Sequence, residues 1–158
     1  MKRQPKRAKK REQVIQVWTL AQARAAIPYL KSVVRSLREQ FLDTQSWTRK
    51  TQRLADRPGR PDRAALIEKQ EAEHRAHYAD TQFEEAADEL ARLDVYSLDP
   101  ARGQALVPFV YEDKLAWYIF DLFEVNPLRF WRYQDDTLDT RRPITSLQQG
   151  QAESTQTV

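Results

Sequence analysis

Apolar residues in the first half of the chain recur at helical spacing. Thr19 and Gln22 have the spacing of a capping box, which predicts that a helix begins there. Pro28 is incompatible with a continuous helix, so we expect a break near Ala26 and a second, longer helix that opens at the proline. One seam of the longer helix consists of Ile27, Leu30, Val34, Leu37 and Phe41. Beyond Phe41 the seam turns polar, and we expect that end of the helix to pack weakly.

A second apolar seam follows a breaker at residues 56–61. This segment contains two prolines and a glycine, which end the first long helix. From about Asp62 to Leu93 the apolar positions have the heptad spacing of a coiled coil. They are mostly small: Ala72, Ala76, Ala79, Phe83, Ala86, Leu90 and Leu93. The two seams together predict a long antiparallel helical hairpin.

After residue 100 the pattern changes from helical to alternating. Residues 105–111, 115–123 and 128–133 predict three short strands joined by polar turns. The middle segment is apolar at successive positions, as in a central strand that is covered on both faces, and Pro108 suits a strand edge or a bulge. The predicted fold class is therefore α+β, with the hairpin packed on a small three-stranded antiparallel meander.

Composition agrees with one domain, which we place at residues 17–144. A disordered basic tail is predicted at residues 1–16 and a disordered polar tail at residues 145–158. The chain has no cysteine, which excludes disulfides, thiol catalysis and cysteine-based zinc sites and fits a reducing compartment. No apolar run approaches the roughly 20 residues that a membrane-spanning helix needs, so we expect a cytoplasmic protein.

Positive charge is concentrated at the N-terminus. The net charge is only +3, yet residues 2–11 hold seven cations: Lys2, Arg3, Lys6, Arg7, Lys9, Lys10 and Arg11. Cations in a flexible arm neutralise phosphates and give salt-sensitive binding to DNA, RNA or the ribosome. A tail that only aids solubility is the competing interpretation.

Both ends of the predicted domain resemble a known family. Thr-Leu-Ala-Gln-Ala at residues 19–23, which leads to Ile-Pro at 27–28, is similar to one end of the bacterial family known as domain of unknown function 2203. Phe-Trp at residues 130–131, which leads to Arg-Arg-Pro-Ile at 141–144, is similar to the other end. The resemblance covers residues 17–144 and implies a helical region joined to a C-terminal part, with no established activity. Arg132 occupies the position of the histidine in that family's Trp-His pair.

Two clusters of titratable residues have the appearance of metal ligands. The Glu-x-x-His-x-x-His run at residues 71–77 has spacing found in carboxylate-bridged sites, and the Asp-Asp-x-x-Asp run at 135–139 resembles the magnesium motif of isoprenoid synthases. The two histidines fall off the predicted core seam. The aspartates follow a strand, where they are more simply explained as partners of Arg141 or Arg142. We therefore expect neither a metal nor a cofactor.

Cations and aromatic residues alternate in the last predicted strand and after it. Arg129, Trp131, Arg132 and Tyr133 interleave cations with aromatic rings, as surfaces that stack single-stranded bases do. The candidate partner-binding residues are Arg129, Trp131, Arg132 and Arg141. Strand alternation places Arg129 and Trp131 on one face and Arg132 on the other. Since one face must be core, packing is the competing interpretation, and for Trp131 we predict a structural role.

These observations support two functional hypotheses. The first is a non-enzymatic interaction module whose hairpin or aromatic sheet binds a protein partner or a second copy of the chain. The second is a nucleic-acid or ribosome-associated factor that uses the basic tail. An enzyme ranks third, because the sequence shows no nucleophile with its base and no phosphate-binding glycine loop. Its residues would be Asp121, Glu124 and Arg141.

Overall fold

The computed structural model describes residues 14–147 and joins a helical hairpin to an antiparallel sheet, which confirms the α+β fold class. The helices are α1 (Leu20–Ala25), α2 (Ile27–Ala55) and α3 (Arg63–Ala91). The strands are β1 (Tyr96–Asp99), β2 (Gln104–Tyr111), β3 (Lys114–Asp121), β4 (Phe130–Tyr133) and β5 (Arg142–Pro143), and a 3-10 helix follows at Ile144–Ser146. The basic run at residues 2–11 and the polar residues from 148 onward lie outside the described residues.

The start of the helical region follows the predicted capping and proline rules. The Thr19 hydroxyl accepts from the Gln22 backbone N–H at 3.1 Å, and the Gln22 side chain accepts from the Thr19 N–H at 3.0 Å. Ala26 separates α1 from α2, and Pro28 lies in the first turn of α2, where its missing N–H leaves no helical bond unmade. The capping box and the break before Pro28 are therefore confirmed.

Helices α2 and α3 form the predicted antiparallel hairpin, with the turn between Ala55 and Arg63. Asp62 caps α3, since its carboxylate accepts from the Ala65 N–H at 2.8 Å. The buried side chains of the hairpin are Leu30, Val33, Val34 and Leu37 on α2 and Ala72, Ala79, Ala86 and Leu90 on α3. No residue of α2 beyond Leu37 is buried, so the end of the hairpin near the turn packs weakly, as the sequence predicts.

The sheet has strand order β1-β2-β3-β4-β5, with every neighbouring pair antiparallel. Alternate residues of β2, β3 and β4 face the helices and join their core, among them Val107, Phe109, Tyr118, Phe120 and Trp131. β3 lies between β2 and β4 and is buried on both faces, as predicted for the middle strand. Pro108 lies beyond the part of β2 that pairs with β1, and its carbonyl accepts from the Trp18 N–H at 2.8 Å.

The sheet has five strands rather than the three that the sequence predicts. β1 has four residues, and β5 has two and includes Pro143, so neither has a long alternating pattern. The folded part also passes the predicted boundary at residue 144, because the 3-10 helix includes Ser146, whose hydroxyl accepts from the Trp131 indole N–H at 3.0 Å. Among residues 14–147 no helix is both long enough and apolar enough to cross a membrane.

Candidate functional site

The face of the sheet that points away from the helices carries its own apolar cluster. Leu106, Trp117 and Ile119 are buried there, and the partly buried residues packed against them are Leu98, Leu115 and Phe130. All six residues belong to strands, and within the described part of the chain no helix contributes an apolar side chain to this cluster. We call these six residues and the adjoining Tyr96, Arg129 and Arg132 the outer sheet face.

Aromatic rings dominate the outer sheet face. Tyr96 lies edge-on to Trp117, with ring centroids 5.5 Å apart and an interplanar angle of 76°, yet Tyr96 remains 46% exposed. The Trp117 indole N–H donates to the Gln134 side-chain oxygen, which fixes the orientation of the ring. The Arg129 guanidinium lies 5.2 Å from the centroid of the Phe130 ring. The face therefore presents the exposed ring of Tyr96 next to the ring of Trp117, which its hydrogen bond holds in place.

Arg132 is a buried cation on this face. It is the direct cross-strand partner of Trp117, which places both side chains on the same side of the sheet. The residue is only 5% exposed; its guanidinium donates to the carbonyls of Tyr133 and Asp136 at 3.4 and 3.3 Å, and its Nε has no hydrogen-bond partner. Among the described residues no carboxylate lies within 4.0 Å of this guanidinium, so it forms no salt bridge, although its positive charge adds to the effect of Arg142 in lowering the pKa of Asp136.

Trp131 is not part of a partner-binding surface, and that prediction is corrected. The residue is 3% exposed and packs in the core between the sheet and the helices, because alternation along β4 directs it to the face opposite Arg132. Its ring is edge-on to Phe109, Tyr111 and Tyr133, with centroids 4.8 to 5.8 Å apart. The competing prediction of a structural Trp131 agrees with this burial.

The other two candidate arginines occupy different surroundings. The Arg129 side chain is 62% exposed and lies 3.9 Å from the Glu124 carboxylate, at the edge of the outer sheet face. Arg141 donates to the carbonyls of Leu138 and Thr140, both at 3.0 Å, and so holds its own loop together. The structure therefore brings Arg129 and Arg132 to the outer sheet face and leaves Arg141 and Trp131 out of it. The prediction that alternation places Arg129 on the face of Trp131 is wrong, because Arg129 precedes β4 and lies over Phe130.

The aspartates at residues 135–139 have local partners. Both oxygens of Asp136 accept from the Arg142 guanidinium, at 2.7 and 2.9 Å, and one of them also accepts from the Tyr133 N–H. The hydrogen bonds from Arg142 lower the pKa of Asp136 to about 2, so the carboxylate stays ionised at neutral pH. The salt-bridge interpretation is confirmed for Arg142.

The remaining titratable candidates do not come together in one site. His74 and His77 are exposed on α3, and in the described ranges no three of His, Asp or Glu lie where they could hold one metal ion. Asp121 accepts from the Gln104 side chain and from the Phe123 N–H, whereas Glu124 pairs with Arg129. The Asp121 and Glu124 side chains therefore have local partners within the chain.

A sequence profile for one protein family, described as "Uncharacterized conserved protein (DUF2203)", matches residues 16–144. The chain belongs to this family. The match begins at Gln16, whose N–H donates to the Asp94 carboxylate, and ends at Ile144, whose N–H donates to the Arg129 carbonyl, so the DUF2203 region spans the hairpin and the whole sheet. No curated protein and no solved structure matches the chain. Membership of DUF2203 assigns no activity.

Sequence reasoning missed seven residues of the outer sheet face: Tyr96, Leu98, Leu106, Leu115, Trp117, Ile119 and Phe130. A signal for the three on β3 was present, because β3 is apolar at successive positions and one set must face away from the helices. No comparable signal marks Tyr96 and Leu98, since β1 is short and half polar.

Proposed function

We propose that this protein is a non-enzymatic interaction module and that its outer sheet face binds an apolar segment of a partner protein. The observation that carries the proposal is the cluster of Leu106, Trp117 and Ile119, which is built from strands alone and is not covered by either long helix. An antiparallel sheet with one free face usually turns polar side chains toward water. Leu106, Trp117 and Ile119 are themselves buried, so the surface open to a partner consists of Tyr96, which is 46% exposed, and the half-buried Leu98, Leu115 and Phe130. Exposed apolar surface of this kind is typical of a binding surface.

The composition of the face supports protein recognition. Residues that dominate binding energy are enriched in tryptophan, tyrosine and arginine, and they lie beside apolar pockets from which water is excluded. Trp117 is held in place by its indole hydrogen bond, and Tyr96 and Phe130 retain exposed ring surface. Rigid aromatic groups lose little conformational entropy when they bind, so they provide affinity from a small area.

Charge complementarity defines the partner further. Arg132 is buried with an unpartnered Nε and no carboxylate within 4.0 Å among the described residues, and Arg129 adds a second cation at the edge. Arg132 forms no salt bridge among the described residues, and a carboxylate from a partner that reached its free Nε would satisfy this buried donor. The partner we propose is therefore an apolar segment with an acidic side chain next to it.

Photo-crosslinking in the organism that makes the protein tests this proposal. We expect benzoylphenylalanine in place of Tyr96 to give a crosslinked product, because Tyr96 is exposed and lies beside Trp117 on the outer sheet face. The same group in place of Phe123, an aromatic residue that is 65% exposed on the turn after β3, is the matched control and should give none.

The product should also disappear when Phe130→Lys is added to the Tyr96 variant. Products of equal yield from positions 96 and 123, or a product that persists with Phe130→Lys, would show that the outer sheet face is not the binding surface. A product made of two copies of this chain would identify self-association as the function of the face.

The basic run at residues 2–11 supports a second candidate, nucleic-acid binding. The run holds seven cations, whereas the whole chain carries only +3, so the rest of the chain is net acidic and would not bind phosphates by itself. Removing residues 1–12 is expected to abolish binding to mixed-sequence RNA and leave the thermal melt unchanged.

Titrating the salt concentration provides the quantitative check on this candidate. Five phosphate contacts predict a slope of log affinity against log salt of about −4, because each contact contributes about 0.7 to 0.9. Weak binding that does not depend on salt and is equal with and without residues 1–12 would contradict the nucleic-acid hypothesis.

A further inference from the structure

The first described residues of the chain lie against the C-terminal end of α3. The Gln16 N–H donates to the carboxylate of Asp94, which follows the helix, at 2.7 Å. Val14 lines a groove that reaches Leu93, and a second groove, on α3 itself, also reaches Leu93. The basic run at residues 2–11 precedes Val14 in the chain, so it is connected to the fold at a point beside the end of α3.

The exposed side of α3 at this end is acidic. Glu84, Glu85, Asp88 and Glu89 are all exposed near the end of the helix, and the last three of them line the second groove beside Arg92. Within residues 14–147, none of these four side chains forms a salt bridge. We call the four carboxylates the acidic α3 face.

A cationic segment would stabilise this end of α3. Glu84 with Asp88, and Glu85 with Glu89, are like-charge pairs four residues apart, which destabilise a helix. The C-terminus of a helix carries a partial negative charge that favours cations, yet the last turn of α3 contains no basic residue. The Tyr29 hydroxyl donates to Glu89 at 2.5 Å, but this neutral donor leaves the negative charge in place.

We infer that the acidic α3 face binds the chain's own basic run at residues 2–11. The run holds seven cations, and the face offers four carboxylates that lack cationic partners among the described residues. The twelve residues from Val14 back to Lys2 can span about 40 Å at ~3.3 Å per residue. The distance along α3 from Ala91 to Glu84 is only about 11 Å at ~1.5 Å per residue. The run is therefore long enough to lie along the whole face.

The point of connection favours this segment over the same segment of a second copy. A short connection holds the run near the face at an effective concentration on the order of millimolar, so binding within one chain prevails in dilute solution. A bound run is not free to contact phosphates, and the acidic α3 face would therefore compete with nucleic acid for residues 2–11. The contact itself depends neither on nucleic-acid binding nor on the outer sheet face.

Paramagnetic relaxation in the full chain tests the contact, because the chain has no cysteine of its own and Gln4→Cys can carry a single nitroxide without loss of a cation. Proximity alone would broaden the amide signals of every element near Val14, including residues 20–24, since Gln22 lines the same groove as Val14. Binding to the acidic α3 face predicts stronger broadening at residues 84–92 than at residues 20–24. Equal broadening of the two segments would overturn the inference.

Neutralising variants identify the carboxylates that hold the run. The double variant Glu85→Gln with Asp88→Asn should lower the relaxation enhancement at residues 84–92 by roughly twofold or more, because two of the four carboxylates lose their charge. The matched control is Glu71→Gln with Glu73→Gln, which makes the same change of charge on exposed residues of the same helix, nearer the hairpin turn. The control should leave the enhancement unchanged, and equal effects of the two double variants would contradict the contact.

Salt and mixing experiments complete the test without any nucleic acid. Raising the ionic strength from about 0.01 M to about 1 M shortens the screening length from roughly 30 Å to roughly 3 Å, so the excess broadening at residues 84–92 should disappear. Excess broadening that persists at high salt would show that charge does not hold the run. Broadening of an unlabelled, isotope-enriched chain by a spin-labelled second chain would show that the run binds another copy, which would also overturn the inference.

Discussion

Replacing Trp131 with alanine is expected to lower the free energy of unfolding by about 3–5 kcal/mol, the usual cost of removing a large aromatic side chain from a core. The indole is 3% exposed and lies edge-on to Phe109 and Tyr111. Its N–H donates to the Pro143 carbonyl at 3.1 Å and to the Ser146 hydroxyl, so it also holds the end of the domain against β4. Truncation would therefore leave a cavity and release the last residues of the fold.

Denaturant unfolding monitored by far-UV circular dichroism measures this loss. Phe123→Ala removes an aromatic residue that is 65% exposed and should change stability by less than about 1 kcal/mol. Trp131→Phe keeps an apolar ring but removes the indole N–H. We therefore expect its loss of unfolding free energy to lie between those of Trp131→Ala and Phe123→Ala. A Trp131→Ala protein as stable as wild type would place Trp131 at a surface and restore it as a candidate partner-binding residue.

The second large effect is expected at Gly103. Its φ is +67°, and a Cβ at this position would lie 2.9 Å from the Leu122 Cβ. Gly103→Ala combines the cost of a left-handed conformation with that of forcing a packed side chain aside, so we expect a loss of about 2–4 kcal/mol. The turn before β2 depends on this residue, because the Gly103 carbonyl accepts from the Leu122 N–H at 3.0 Å.

Gly59 provides a matched control for the steric part of that loss. Its φ is +93°, yet a Cβ there would meet no atom within 4 Å. Gly59→Ala should therefore cost only the conformational part, about 1–2 kcal/mol. Thermal melts of Gly103→Ala and Gly59→Ala under the same conditions measure the difference between the two stability losses. Equal losses for both would mean that the close approach of Leu122 to Gly103 does not affect stability.

The sequence predicts the hairpin well because local rules govern it. The Thr19 capping box, the break at Pro28 and the breaker at residues 56–61 each act through the backbone of a few neighbouring residues, and the structure reproduces all three. Heptad spacing then identifies the faces that meet, since alanine and leucine recur at fixed intervals along α2 and α3.

β1 and β5 were not predicted because their pairing is not a local property. Tyr96–Asp99 and Arg142–Pro143 are too short for alternation to stand out, and they become strands only where β2 and β4 offer hydrogen-bonding edges. The place of Pro108 in β2 is also not a local property. A proline fits there because the pairing of β1 with β2 stops before residue 108.

The candidate site was predicted only in part, because its residues come from four strands. Alternation in β4 separates Trp131 from Arg132, but the sequence alone does not say which face meets the helices. The structure decides this: Trp131 joins the inner core, and Arg132 lies beside Trp117 on the outer sheet face. The unpartnered Nε of buried Arg132 and the exposed edge of Tyr96 are three-dimensional properties with no counterpart in the sequence.

The most direct test of the outer sheet face is a calorimetric Kd for the purified partner that crosslinks at position 96. Phe130→Lys is expected to weaken binding by roughly tenfold or more, since it places a charge in the apolar contact, and Phe123→Lys should leave the Kd unchanged. The thermal melt of each variant would confirm that it is folded. Binding that Phe130→Lys leaves intact, or that both variants weaken equally, would contradict the proposal that the outer sheet face recognises the partner.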